Sequence, residues 1–203
     1  MVYSQKKRLD ALCDVQTGYT ARTALRPADG GLRAVQLSDL HGEADFNPQL
    51  ARTYPLDPSL ERYKVGPGDV LFRSRGDRNT AVVVDPKAQQ TAIAILPIII
   101  LRPIRSLVEP RYLAWFINQP SSQKYFDSCA RGTSMRMIPK ASIDALEIEL
   151  PDLATQRRIV AIDALALREH ALAQRLADKK MELTRFALLA QARKAQPHKG
   201  RKQ

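Results

Sequence analysis

The chain has 203 residues, 44% hydrophobic and 26% charged, enough apolar material for one folded domain with an appendage or for two small domains. Its formal net charge of +11 points to a polyanionic partner, nucleic acid first. No apolar run approaches the roughly 18 residues of a membrane span, and MVYSQKKRLDAL lacks the apolar core of a signal peptide. Two unpatterned cysteines, Cys13 and Cys129, suit a reducing compartment and buried free thiols, so a soluble cytoplasmic protein is expected.

Taken in order, residues 1–108 read as β-rich and irregular. KRLDALCDVQTGYT suggests a short strand closed by Gly18, and GLRAVQLSDL alternates apolar and polar residues before a turn-rich stretch with Pro48, Pro55 and Pro58. In KVGPGDVLFRSRGD a Pro-Gly turn opens a strand from Asp69 to Ser74 that stops at Gly76. TAVVVD and TAIAILPIIIL are β-branched and short enough for buried strands. EPRYLAWFINQP predicts a helix with Pro110 at its first position and Leu113, Phe116 and Ile117 on one face, and Pro120 opens another turn or two. RGTSMRM is a polar loop, and ASIDALEIEL ends as a strand with Leu146, Ile148 and Leu150 on one side. The fold class expected is α+β: a β-rich domain over residues 1–151.

From Thr155 to Gln191 nothing breaks a helix, a run of 37 residues or about 55 Å, with Asp152 or Thr155 as its N-cap. One heptad position holds Ile162, Glu169, Leu176, Leu183 and Ala190; the other holds Leu165, Leu172, Lys179 and Phe186. Such a seam needs a partner. The alternative is a helix folded back on its own domain, though such a rod overhangs a domain roughly 35 Å across. Residues 152–191 are therefore expected to form a long coiled-coil dimerisation and docking helix, and 192–203 a basic tail. Charge follows that division: residues 155–203 carry 12 basic against 4 acidic residues, and residues 1–154 carry 20 against 17.

Catalytic patterns are missing. His41, His170 and His198 are scattered and stand in no zinc spacing with the cysteines. There is no GxxxxGK[ST] loop and no GxGxxG after a strand, and INQP at 117–120 is not the motif of an adenine methyltransferase. Pro151-Asp152 with Asp178-Lys179-Lys180 imitates a nuclease metal pair, but its second half falls within the long helix. No catalytic residue, metal site or cofactor is assigned.

Several stretches together resemble one family. VGPGDVLFRSRG resembles the GD-[IV]-L strand of the target recognition domains in specificity subunits of type I restriction–modification systems. DVQTGYT resembles their opening G-x-T. ARGTSMRMIPKASIDALEIELPDLATQRRIV resembles their closing run, carried here by Leu146, Ile148, Leu150, Pro151, Leu153, Gln156 and Ile159. The resemblance spans roughly residues 8–190; each motif alone is weak, and their order and spacing together are more specific. The chain departs from the pattern at Thr155, where an acidic residue is usual, and it has one recognition domain and one helix where the full subunit has two of each. It resembles half a specificity subunit. The resemblance implies a DNA-reading domain, a helix that pairs antiparallel with a second copy through Ile162, Leu165, Leu172, Leu176, Leu183 and Phe186, and methyltransferase (modification) subunits as partners. Glu169 and Lys179 would set the register of that homodimer, which would read a two-part site on double-stranded DNA with identical, inverted halves.

Two loops concentrate donors suited to DNA. Arg73, Arg75, Arg78 and Asn79 flank Gly76, and arginine to guanine and asparagine to adenine are pairs that discriminate bases. Arg131, Thr133, Ser134, Arg136 and Lys140 surround Gly132, whose backbone suits approach to a phosphate. Arg22 is a weaker third position. For each arginine the competing reading is a surface salt bridge, with Asp77 the nearest partner for Arg75 or Arg78. The leading expectation is a non-catalytic specificity subunit. The alternative is a DNA-binding adaptor whose coil docks a different phage-defence effector, and a self-contained restriction enzyme is disfavoured by the missing catalytic residues.

Overall fold

The computed structural model describes residues 5–40, 45–76, 78–132 and 136–194. The chain forms two units, Met1–Val160 and Ala161–Gln203. It is α+β, with a β-rich domain and a long C-terminal helix.

Among the described residues ten strands make three sheets. The central sheet is antiparallel in the order β2 (Cys13–Thr17), β9 (Ile98–Pro103), β6 (Val70–Arg73) and β7 (Ala81–Val83). A second sheet runs β4 (Thr53–Tyr54), β3 (Leu32–Val35), β8 (Ala92–Ala94) and β5 (Lys64–Val65), with β3 and β8 parallel. The third pairs β1 (Gln5–Arg8) with β10 (Glu147–Leu150), joining the two ends of the domain. The apolar run TAIAILPIIIL is thus two strands of two different sheets, divided at Pro97.

Both faces of the central sheet are covered, which is why Ile98 to Leu101 is apolar without alternation. Leu71, Val82, Ile98 and Ile100 pack against Val35, Val65, Ala92 and Ala94 of the second sheet. On the other face Val70, Phe72, Val83, Ile99 and Leu101 meet α1 (Pro110–Asn118) and α2 (Pro120–Cys129), with Phe72 and Phe126 rings 4.9 Å apart. Pro110 sits at the first helical position as its fixed φ favours. Leu113 and Ile117 are buried, and Phe116 is half-buried. Asn118 closes the sheet edge, accepting from the Ala81 amide (2.8 Å) and donating to the Ala81 carbonyl (3.0 Å), as a neighbouring strand would. A Cβ at Gly18 would meet the Ile98 and Ala94 carbonyl oxygens at 2.8 and 2.9 Å, so the end of β2 passes there only as glycine. Cys13 is buried and its thiol is pushed up to about 12 by that burial; Cys129 is half-buried, and both are free.

The short helix α3 (Lys140–Asp144) interrupts what the sequence suggests is loop leading into strand, because Ile143 turns into the core there. Leu146 and Ile148 are buried and Leu150 half-buried, in the alternation expected. The final helix, α4 (Leu153–Lys194), has 42 residues, about 63 Å of rise. Asp152 caps it: its carboxylate accepts from the Thr155 amide and hydroxyl, both at 2.9 Å, and those bonds hold its carboxyl below the usual carboxylate range. Thr155 thus completes the cap where the related pattern has an acid.

Gln156 is completely buried. Its Oε1 accepts from the Glu109 amide (2.8 Å), and its Nε2 donates to the carbonyls of Pro151 (2.8 Å) and Leu107 (3.1 Å). The N-cap of α1, the exit of β10 and the first turn of α4 are therefore held by one amide. Gln156→Leu fills the same space but leaves three buried backbone groups unpaired. It should lower unfolding free energy by about 3 kcal/mol, read as a reduced urea midpoint with an unchanged slope. A loss under about 0.5 kcal/mol would mean that water replaces the amide.

Candidate nucleic-acid interface

Three connections leave the same end of the central sheet. Ile98 lies opposite Arg73, and Thr17 opposite Ile99, so the segments after Thr17, after Arg73 and before Ile98 emerge together. Ser74 ties two of them: its amide (3.2 Å) and hydroxyl (2.6 Å) both donate to the Pro97 carbonyl, and it is buried.

The two donor-rich loops, about sixty residues apart in sequence, are one structure. The Ile138 amide donates to the Ser74 carbonyl at 2.7 Å, the Gly76 amide to the Arg136 carbonyl at 3.3 Å, and Arg75 bridges Met137. On its other side Met137 exchanges two 3.0 Å bonds with Arg131. The result is a three-segment ladder with the Met137 segment in the middle. Gly76 (φ +109°) and Gly132 (φ +97°) adopt the left-handed conformations that turn the chain beside it.

Within this frame the expected donors separate. Arg75 is half-buried; Arg78 and Arg131 are exposed, and none of the three side chains has a partner among the described residues. Arg22 is exposed on the segment that follows Tyr19, itself fixed by bonds to Ala94 and Leu96. Arg73 is half-buried and donates through Nη1 to the Leu40 carbonyl at 3.0 Å. Arg136 is held by Asp127, at 3.1 Å from both its carbonyl and Oδ1, and Lys140 lies 2.9 and 2.8 Å from the two oxygens of Asp144. These two pairs are solvent-exposed and weak enough to exchange for another anion. Thr133, Ser134 and Asp77 lie outside the described residues. Among the described residues, the buried side-chain donors without a partner are Nε of Arg73 and Nε of Arg75, both in this ladder.

Asn79 departs from its expected part. It is buried, its Nδ2 donates to the Arg73 carbonyl at 2.9 Å, and its own carbonyl accepts from Gln123 Nε2 at 3.0 Å. It braces the base of the loop, with its Nδ2 already committed to the backbone. Arg105 likewise donates to the Pro67 carbonyl, and Arg111 pairs with Asp45, so both of these arginines hold the fold.

On the helix, Ile162, Leu165, Leu172, Leu176, Leu183 and Phe186 are all exposed, by 53 to 70%. Lys179 pairs with Glu182 on its own helix at 2.6 Å, an exposed pair of the same exchangeable kind. The sequence reading passed over a second exposed set, Leu167, Met181 and Leu188, each five residues after a seam position and so about 140° round the helix.

The brace is open to a direct test. Asn79→Ala should lower stability by about 1–2 kcal/mol, whereas exposed Arg78→Ala should shift it by less than about 0.5 kcal/mol. Equal effects in a denaturant titration would remove the distinction.

No protein-family model matches the chain, and no curated protein matches it. Solved structures do. A chain from a structural study of complex assembly and conformational transition in the type I R-M system is 23% identical, with a TM-score of 0.66, over 90% of this chain and 43% of that one. The HsdS subunit from Thermoanaerobacter tengcongensis is 24% identical, with a TM-score of 0.64, over 90% and 42%. The S subunit of the Type-I restriction-modification system from M. genitalium is 14% identical, with a TM-score of 0.50, over 84% and 41%. The chain spans less than half the length of each. From the paired ends of its domain to its long final helix, it has the fold of the S subunits of type I restriction–modification systems.

Proposed function

We propose that the chain is a non-catalytic, sequence-reading subunit of half length that directs a type I methyltransferase and restriction complex to DNA. The observation that carries this reading is the merging of two distant arginine-bearing loops into one ladder, where guanidinium groups without a partner among the described residues gather at one end of the central sheet. Arg75, Arg78 and Arg131 are assigned to base edges, since a guanidinium matches guanine O6 and N7 in a bidentate pair. Arg22, Arg136 and Lys140 are assigned to phosphates, the last two by exchanging Asp127 and Asp144 for the DNA backbone. Arg73 stays in the scaffold.

The helix supplies assembly. Its seam would pair two copies antiparallel, and the second exposed set, with Leu167, Met181 and Leu188, offers a face to methyltransferase subunits. Two recognition domains related by a two-fold axis would read identical, inverted half-sites.

Selection of bound duplexes from a random library, with and without the methyltransferase subunits, tests the reading. The expected outcome is an inverted two-part site; uniform recovery of all sequences by the assembled complex would contradict it. With about six phosphates neutralised, the log–log salt slope should lie near −5. Arg75→Ala or Arg78→Ala should relax one position in each half-site, at a cost of about 1–3 kcal/mol.

Pairing has its own test. Leu176→Asp removes an apolar contact worth about 2 kcal/mol in each of two copies and puts a charge into the seam, lowering the association constant by orders of magnitude. Light scattering should find a folded monomer with the wild-type melting profile of the recognition domain. A wild-type chain that is already monomeric, or a variant that still dimerises, would rule out the paired rod.

A further inference from the structure

A cleft of about 390 Å³ lies beside the end of β2, lined by Val15, Gln16, Thr17, Arg62, Tyr63 and Lys140. It adjoins the ladder through Thr17, at the shared end of the central sheet, and through Lys140, two residues beyond the Ile138 that bonds Ser74. Two of its lining residues are held by Arg102, which donates to Gln16 Oε1 (2.7 Å) and to the carbonyls of Arg62 (2.8 Å) and Lys64 (3.1 Å). Arg102 is therefore a clamp across two sheets. It takes up the oxygen of the Gln16 amide and leaves the Nε2 donors of that group unused among the described residues.

The other cation that lines the cleft, Lys140, is paired with Asp144, and Lys64, next to Tyr63 in the chain, is paired with Glu61. Arg62 is exposed and has no carboxylate partner among the described residues. Its guanidinium lies over the Tyr63 ring, 4.6 Å from the centroid, and donates to the Tyr63 hydroxyl. Tyr63 is steadied in turn by an edge-on contact with Tyr19 at 5.4 Å, next to the segment that carries Arg22. A guanidinium stacked in this way loses little further freedom when an anion binds.

We infer that this cleft is a phosphate-binding extension of the DNA surface, in which Arg62, helped by Gln16 Nε2 and the Thr17 hydroxyl, grips the backbone beyond the bases that the ladder reads. This rests on the DNA-binding reading above. Because phosphate is common to every sequence, Arg62 contributes affinity and salt dependence and leaves base preference untouched.

The test uses the full chain and a mixed-sequence duplex of about 40 base pairs, titrated by fluorescence anisotropy across a range of KCl concentrations. Arg62→Ala should reduce the log–log slope by about one and weaken binding several-fold, while library selection returns the wild-type site. Arg62→Lys should keep most of the slope, because the charge remains. Melting profiles of both variants should match wild type, since the side chain is exposed; if Arg62→Ala melts early, Arg62→Gln carries the comparison. An unchanged slope in the neutral variant, with Arg131→Ala weakening binding, overturns the cleft and spares the ladder. A wild-type chain that binds no duplex overturns both. A changed base preference in Arg62→Ala would make Arg62 a reader and contradict the phosphate assignment.

Discussion

One buried amide fixes how the domain closes. Gln156 satisfies the Glu109 amide and the Leu107 and Pro151 carbonyls, groups from the segment that leads into α1 and from the exit of β10, with no other partner among the described residues at those atoms. Three backbone groups left bare in that core would together cost several kcal/mol, a large share of a domain's net stability. The proline after β10 ends the ladder, Asp152 starts the helix, and Gln156 locks its first turn to α1. That explains a strand running through a single proline straight into a helix of 42 residues. The first two turns of the helix, up to Val160, belong to the same unit as the core.

The proposed reading surface follows the same logic on the opposite side of the problem. A loop that reads bases must hold its donors in place before DNA arrives, because every side chain ordered on binding subtracts from affinity. Here Ser74, Asn79 and the Met137 segment use backbone and buried polar bonds to fix the loop, which leaves Arg75, Arg78 and Arg131 without competing partners among the described residues. Among the described residues the Nε atoms of Arg73 and Arg75 are buried without a partner, a local cost that falls within the proposed reading surface.

Local signals in the sequence were legible where one segment decides its own structure. Pro110 at a helix start, the Pro-Gly turn before β6, the Leu146, Ile148 and Leu150 alternation and the unbroken final helix all appear as expected. What could not be read was pairing at a distance. Nothing in QKKR says that it will meet EIEL to form the third sheet, or that Pro97 divides an apolar run between two sheets. Asn79 looked like a base reader because its composition fits that part; burial beneath Gln123 gave it another. The Lys140–Asp144 pair was visible as an i, i+4 spacing, but only once α3 is known to be helical does the spacing become a contact. The joining of the two arginine loops through Met137 had no sequence signal at all.

The central claim is that this ladder meets DNA, and hydrogen exchange reads it most directly. The Gly76, Arg131 and Met137 amides each donate to a ladder carbonyl. Saturating duplex should slow their exchange, while amides of Val70 to Phe72 inside the central sheet, already closed by β7 and β9, stay as they were. Unchanged exchange at all three ladder amides, in a chain shown to be DNA-bound, would place the interface elsewhere and contradict the account.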